Sequence, residues 1–322
     1  MPAGIDPAEL RDETRLGRLL TRVEQDPHGA IEVLQALPKP DHPAYRLGVT
    51  GPPGVGKSTL LERIIQAWKE EGHRVAALAV DPTSAFTGGA ILADRLRMAG
   101  QAVDGVFVRS LASRGSHGGL PAAAPAVARV LEAAGYDHLI VETVGIGQTG
   151  HDVISLVDTV LVLLSPEGGD WVQAIKAGLL EVGDVYAVNK SDRPGAEAML
   201  DVARTGLDLS PSASRESADM AQNEEWTPPV HRLVATTGEG VAGVLEAIEA
   251  HRTWLAALPH DHPRKLRRIA DELKFSARAW LGGLLELELS QQIEELAAGL
   301  LSGKFSQPEA IEILRAGLKK RI

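Results

Sequence analysis

Short, nearly unbroken apolar runs recur along the chain, and between them lie stretches in which apolar positions repeat every three or four residues. The runs Tyr45–Thr50, 75–80, 107–108, 138–141, 159–164, 185–188 and 230–235 read as strands. They do not alternate apolar with polar residues, as a strand with one wet face does, so they suit a parallel sheet covered on both sides. Leu61, Ile64, Ile65 and Trp68 fall at i, i+3, i+4 and i+7 and predict a helix after the first strand. Further helical patterns cover 122–134, 174–182, 194–201 and 241–251. Two amphipathic helices, 9–24 and 30–37, precede the first strand and stop at Asp26-Pro27 and at Pro38-Lys39-Pro40. Beyond about residue 264 the pattern is helical to the end, with Leu266, Ile269, Leu273, Leu284, Leu285, Leu287 and Leu289 offering more apolar surface than one solvated helix needs. That surface suits either packing on the same domain or a dimer arm.

The first strand runs into Gly51-Pro52-Pro53-Gly54-Val55-Gly56-Lys57-Ser58-Thr59, which fits the P-loop pattern of two glycines, a lysine and a hydroxyl residue. In that loop the glycines let backbone N–H groups approach phosphates, Lys57 adds positive charge, and the Ser58 hydroxyl can ligate Mg²⁺. The fold class is therefore α/β: a P-loop NTPase fold, a mostly parallel sheet flanked by helices, with an N-terminal helical extension and a C-terminal helical arm. The expected division is 1–40 extension, 41–258 nucleotide domain and 259–322 arm.

The ends of later strands supply the remaining candidates. Asp81 ends the second run, where α/β nucleotide sites are built, and reads equally as a Mg²⁺ neighbour or as a turn residue before Pro82. Residues 83–90 are small and hydroxyl-rich, a composition that suits a mobile switch, and Asp94 follows on a helical segment. Arg109, Arg114 and His117 read first as surface or loop residues, the arginines with phosphate contact as the alternative. Glu142-Thr143-Val144-Gly145 repeats the acid-x-x-Gly arrangement in which a carboxylate lies near Mg²⁺ and a glycine amide near the γ-phosphate. Gln148 is a candidate to orient water, with a structural loop role at least as strong.

Asn189-Lys190-Ser191-Asp192 follows a buried run. An N-K-x-D tetrad selects guanine because its aspartate accepts from N1–H and the 2-amino group, donors that adenine does not present in that geometry. Thr236 and Thr237, before Gly238-Glu239-Gly240, are candidates to read the 6-oxo group through a backbone amide.

Composition narrows the partners. In 322 residues, 44% are hydrophobic and 24% charged, and the net charge of −10 disfavours a broad nucleic-acid or anionic-membrane surface. There is no cysteine, hence no disulfide framework and no thiolate chemistry. The opening segment lacks an apolar signal core and no run approaches bilayer length, so the expectation is a cytoplasmic protein.

Taken together, GPPGVGKST, VDPTSAFTGGAILADRLRM, VETVGIGQT, AVNKSD and WTPPV with TGEG resemble the MeaB/ArgK group of P-loop GTPases over nearly the whole chain. The resemblance implies GTP/GDP binding by 51–59 and guanine recognition by Asn189, Lys190 and Asp192. It also implies Mg²⁺ held through Ser58 and Asp94 with Asp81 and Glu142 nearby, and a catalytic set of Lys57, Asp94, Glu142 and Gly145. It further implies a chaperone of an adenosylcobalamin-dependent acyl-CoA mutase, sensed through an additional switch at 166–176, while the apolar surface of the C-terminal arm makes a homodimer the expectation. That switch reads EGGDWVQ where the group usually has GAGDELQ, which leaves the mutase's acyl-CoA open. The competing readings are a P-loop small-molecule kinase, which need not select guanine, and a nickel-type metallochaperone GTPase, which usually carries histidine-rich tails or cysteine pairs.

Overall fold

The computed structural model describes residues 4–26, 29–40, 42–81, 106–112, 123–143, 156–167, 179–209, 226–285 and 289–319. Seven parallel strands form one sheet: β1 Tyr45–Thr50, β2 Val75–Asp81, β3 Val106–Ala112, β4 His138–Thr143, β5 Thr159–Leu164, β6 Val185–Val188 and β7 Val230–Arg232. Their spatial order is β3-β2-β4-β1-β5-β6-β7. Because every strand points the same way, all carboxyl ends open on one edge; the register sets Val49 beside Glu142 and Leu164 beside Val188. Strand β1 lies between β4 and β5, and the chain continues to opposite sides of it, which is where a doubly wound sheet leaves a crevice for ligand.

Burial on both faces explains the unbroken apolar runs. Leu47 and Val49 of β1 turn toward the helices α4 Lys57–Glu70 and α8 Val241–Ala257, with Leu60, Leu61, Ile64, Val244 and Ile248 in the same cluster. Alternate positions, such as Ala76, Leu78 and Val80 of β2, face the other way, toward α5 Ala124–Ala133 and α7 Ala196–Leu209. The helices α1 Pro7–Leu10, α2 Glu13–Gln25 and α3 Ala30–Ala36 add Leu10, Leu16, Leu20, Val23 and Val33 to that second cluster. The short α6 Leu179–Val182 leads to β6, and α9 Pro263–Gly283, α10 Ser290–Leu301 and α11 Gln307–Lys319 follow α8.

Expectations change at both ends of the sheet and in the N-terminal helices, and the last strand stops at Arg232 rather than 235. The first amphipathic stretch is two helices, because the Asp12 carboxylate accepts from the Thr14 and Arg15 amides and starts α2 there. Strand β3 runs on through Arg109 to Ala112 rather than stopping at 108. Arg109 is thus no loop residue: its guanidinium meets Glu24, the Thr21 hydroxyl at 3.0 Å and the Gly17 carbonyl at 3.3 Å, pinning α2 to the sheet. Those partners answer its charge and leave phosphate contact without support.

The buried strand β1 contains one charge, Arg46, only 2% exposed. Its guanidinium bonds Glu132 of α5 at 2.8 and 3.0 Å, Glu272 of α9 at 3.3 Å and the Leu156 carbonyl at 3.2 Å. Arg129 and Arg268 complete the set by pairing with Glu272 at 3.0 and 3.5 Å. Helix α9 is therefore fastened by its charged side, while Leu266, Ile269 and Leu273 on it stay exposed.

Candidate functional site

The P-loop leaves β1 at Thr50 and enters α4 through Gly56, whose φ of 99° is left-handed. A side chain there is excluded twice, by that backbone and because a Cβ would lie 2.3 Å from Asn189 Nδ2. At Gly51 a Cβ would meet the Leu163 carbonyl at 2.2 Å, so the loop crosses close over β5. Pro53 and Gly54 form its exposed crest, while Val55 is buried beneath.

Lys57, 8% exposed, curls back over the loop and donates to the Gly51 and Pro52 carbonyls at 2.8 and 3.0 Å. Burial lowers its pKa, and the Glu142 carboxylate opposes that shift. An ammonium has three donors, so these two contacts hold positive charge against the Gly51–Pro52 side of the loop with a third donor to spare. Ser58 Oγ donates to Glu142 Oε1 at 3.4 Å, bringing a hydroxyl from α4 and a buried carboxylate from β4 together at the carboxyl edge. Hard oxygens of this kind, beside a phosphate loop, fit Mg²⁺. Asp81 ends β2, the strand beside β4. Asp94, Gly145, Gln148, Arg114 and His117 lie outside the described residues, as do residues 168–178 of the expected additional switch and its neighbourhood.

At the other side of the crevice the tetrad divides its labour. Asn189 is 3% exposed: its Nδ2 donates to the Val55 carbonyl at 2.8 Å and its Oδ1 accepts from the Ala235 amide at 2.9 Å. It is thus a brace between the P-loop and the 235–238 loop, with both ends of its amide engaged by protein. Lys190 adopts a left-handed φ of 57° and donates to Glu167 at 2.8 Å, tying the start of the 166–176 stretch to this loop. Glu167 is held below the usual carboxylate range by that hydrogen bond. Asp192 is exposed, with Arg193 Nε at 3.7 Å, and is open to a base. The Thr237 amide donates to the Val234 carbonyl at 3.2 Å, whereas the Thr236 amide has no partner among the described residues, which separates the two candidates for the 6-oxo contact.

Sequence reasoning missed Arg63. From α4 its Nε donates to the Ala235 carbonyl at 3.2 Å and its Nη2 to the Thr236 carbonyl at 2.7 Å. Its place in a solvated helix turn carried no signal. Asp184 and His251 were also missed, at the opposite, amino-terminal edge of the sheet. There the Tyr45 hydroxyl donates to Thr159 Oγ1 at 2.5 Å, which lies 2.7 Å from His251 Nδ1, and Arg264 pairs with Asp184.

A phosphate loop with its lysine and hydroxyl, an acid at the end of a neighbouring strand and an N-K-x-D tetrad on one sheet edge define a P-loop GTPase, and the comparisons agree. The chain belongs to the family described as methylmalonyl-CoA mutase-associated GTPase MeaB, whose model matches residues 16–281. It is 40% identical over 287 residues to a putative GTPase of Pyrococcus abyssi, covering 88% of this chain and 86% of that one. It is 30% identical over 288 residues to the mouse protein called methylmalonic aciduria type A homolog, mitochondrial, covering 86% of this chain and 66% of the mouse protein. The crystal structure of an LAO/AO transport system kinase matches with a TM-score of 0.62 at 26% identity, covering 97% of this chain and 96% of the other.

Proposed function

We propose that this GTPase is a chaperone of an adenosylcobalamin-dependent acyl-CoA mutase, gating cofactor loading and protecting or reactivating the enzyme. The observation that carries this reading is the family match over residues 16–281, with a description that names a mutase as the associated protein. The mouse relative's name points toward the same metabolism. The mutase acts on methylmalonyl-CoA or a related branched acyl-CoA such as isobutyryl- or hydroxyisobutyryl-CoA.

In this reading the amides of 51–59 cradle the phosphates of GTP, and Lys57 adds charge beside them. Ser58 and Asp94 would hold Mg²⁺, with Asp81 and Glu142 nearby, and the ion would neutralise charge on the phosphate oxygens. Asp192 accepts from the guanine N1–H and 2-amino group, and the Thr236 amide faces the 6-oxo group. Asn189 keeps the phosphate and base halves in register, and Gly145 offers an amide to the γ-phosphate. The 41–258 unit carries this chemistry, and 259–322 forms the arm of a homodimer. The contact of Glu167 with Lys190 supports 166–176 as the reporter, since a mutase that reorders this stretch also displaces a residue beside the base.

Binding energies couple reciprocally, so GTP and GDP forms must differ in affinity for the mutase if the mutase senses the nucleotide. Adding the cognate mutase is expected to raise GTP turnover, and Asp170→Ala or Trp171→Ala to abolish that increase while nucleotide affinity stays. Turnover indifferent to the mutase, with phosphate passed to a small acceptor instead, would move the function to a kinase.

A further inference from the structure

We infer that Arg63 is a positioning residue for nucleobase selection: its guanidinium, reaching from the P-loop helix to two successive carbonyls of the 235–238 loop, aims the Thr236 amide at the guanine 6-oxo group. The inference rests on the guanine reading proposed above and adds to it the element that orients the loop.

Peptide geometry supplies the first step. The Ala235 carbonyl and the Thr236 N–H belong to one planar trans unit, so they point in opposite directions. Drawing the carbonyl to Arg63 Nε at 3.2 Å turns the N–H away from α4. The neighbouring amides are already engaged: Ala235 N–H with Asn189 Oδ1 at 2.9 Å, Thr237 N–H with the Val234 carbonyl at 3.2 Å, and Gly238 N–H with that carbonyl at 2.9 Å. Thr236 N–H is the one amide of this loop without a partner among the described residues.

Arginine is the residue suited to the grip. Its planar fork presents several donors in fixed directions and serves two carbonyls at once, with Nη2 on the Thr236 carbonyl at 2.7 Å. The guanidinium also lies against Gly238, where an added Cβ would fall 3.4 Å from Nη1. The loop is consequently held from two sides, by Asn189 and by Arg63. Both anchors reach the phosphate cradle, Asn189 through the Val55 carbonyl and Arg63 through the helix that Lys57 begins. Base reading and phosphate binding are thereby mechanically joined.

Affinities of Mg²⁺-bound GDP, IDP and ADP for the parent, Arg63→Ala, Arg63→Lys and Asp192→Asn decide the matter. IDP keeps the 6-oxo group and lacks the 2-amino group, so Arg63→Ala is expected to weaken GDP and IDP alike, by about five- to tenfold, the loss of roughly one hydrogen bond. ADP, which has no 6-oxo group, is expected to bind as before, and Arg63→Lys to fall between. A parental GDP-to-ADP ratio in Arg63→Ala, or an equal loss for ADP, overturns the assignment, the latter because it reports a disturbed phosphate loop. Should Arg63→Ala not fold, the same ratio in Arg63→Lys decides. If Asp192→Asn shifts base preference and the Arg63 variants do not, this inference alone fails. If the parent does not prefer GDP to ADP, the guanine reading fails with it.

Discussion

Asn189 and Asp192 stand three positions apart in one tetrad, yet the first is spent inside the protein and the second faces outward. Residue type therefore identified the tetrad, and burial assigned the parts. Asp192→Asn is expected to weaken GTP by about 1.5–3 kcal/mol, the worth of a charge-assisted hydrogen bond, and to favour xanthosine triphosphate, whose 2-oxo group matches an amide donor. Titrating both nucleotides against both proteins checks it; an unchanged preference removes Asp192 from the base site. A different prediction concerns His251, fully buried, ringed by Trp226 and Trp254, and held at about 4 by burial, with Arg264 acting in the same direction and Asp184 against it. Unfolded, it takes a proton near its ordinary 6.5; folded, it stays neutral until about pH 4. Stability is thus complete above 6.5 and lost as pH falls through that window, by about 3 kcal/mol at full extent. His138, pushed to about 3 by burial and by His73 and Arg252, steepens the same slope. Urea unfolding at pH 7 and 4.5 is expected to show the loss, and His251→Gln to shrink it; an equal loss in the variant would exclude His251 as a source.

Among elements, β1 and α9 carry the two surprises. Strand β1 was legible as a buried run because five of its six residues suit a dry interior, but nothing local says what answers Arg46. Its partners, Glu132 and Glu272, come from helices far along the chain. Helix α9 was legible as amphipathic, with its apolar surface suited either to packing on the same domain or to a dimer arm. The buried arginine turns the charged side inward, since an unanswered charge in β1 is less favourable than an exposed apolar row. Removing one member of a buried pair costs about 3–5 kcal/mol. Glu272→Ala is expected to lower stability by about that amount and to open the α8–α9 junction to protease, read by melting and by fragment mapping. A variant that melts and is cleaved like the parent would reduce the cluster to a bystander.

For the whole molecule, the exposed face of α9 continues the question of the arm. Leu266 is 55% and Leu273 65% exposed, and Leu301 of α10 is 92% exposed. Apolar side chains aligned on one helix face are what a second copy covers in a symmetric pair. Leu273→Asp is expected to convert a dimer into monomers at micromolar concentration while leaving nucleotide affinity intact. Sedimentation of the parent and the variant gives the answer, and a monomeric parent would assign this face to the mutase or to another partner.

Local chemistry sufficed for the nucleotide side of this protein. A phosphate loop needs glycines, a lysine and a hydroxyl at fixed spacing, and parallel strands need unbroken apolar runs, so both are written in neighbouring residues. The parallel sheet then had to bring Glu142 and Asn189 to the edge where Gly51–Thr59 lie, and their order along the chain already implied it. What depended on tertiary structure are contacts between residues far apart in sequence. They are Arg63 on the 235–236 carbonyls, Arg46 between Glu132 and Glu272, and Asn189 turned inward as a brace. A hydrogen bond or an ion pair needs only a donor and an acceptor in reach, which leaves no periodic trace in the chain. Such pairs are chosen when the packed helices fix which polar groups meet.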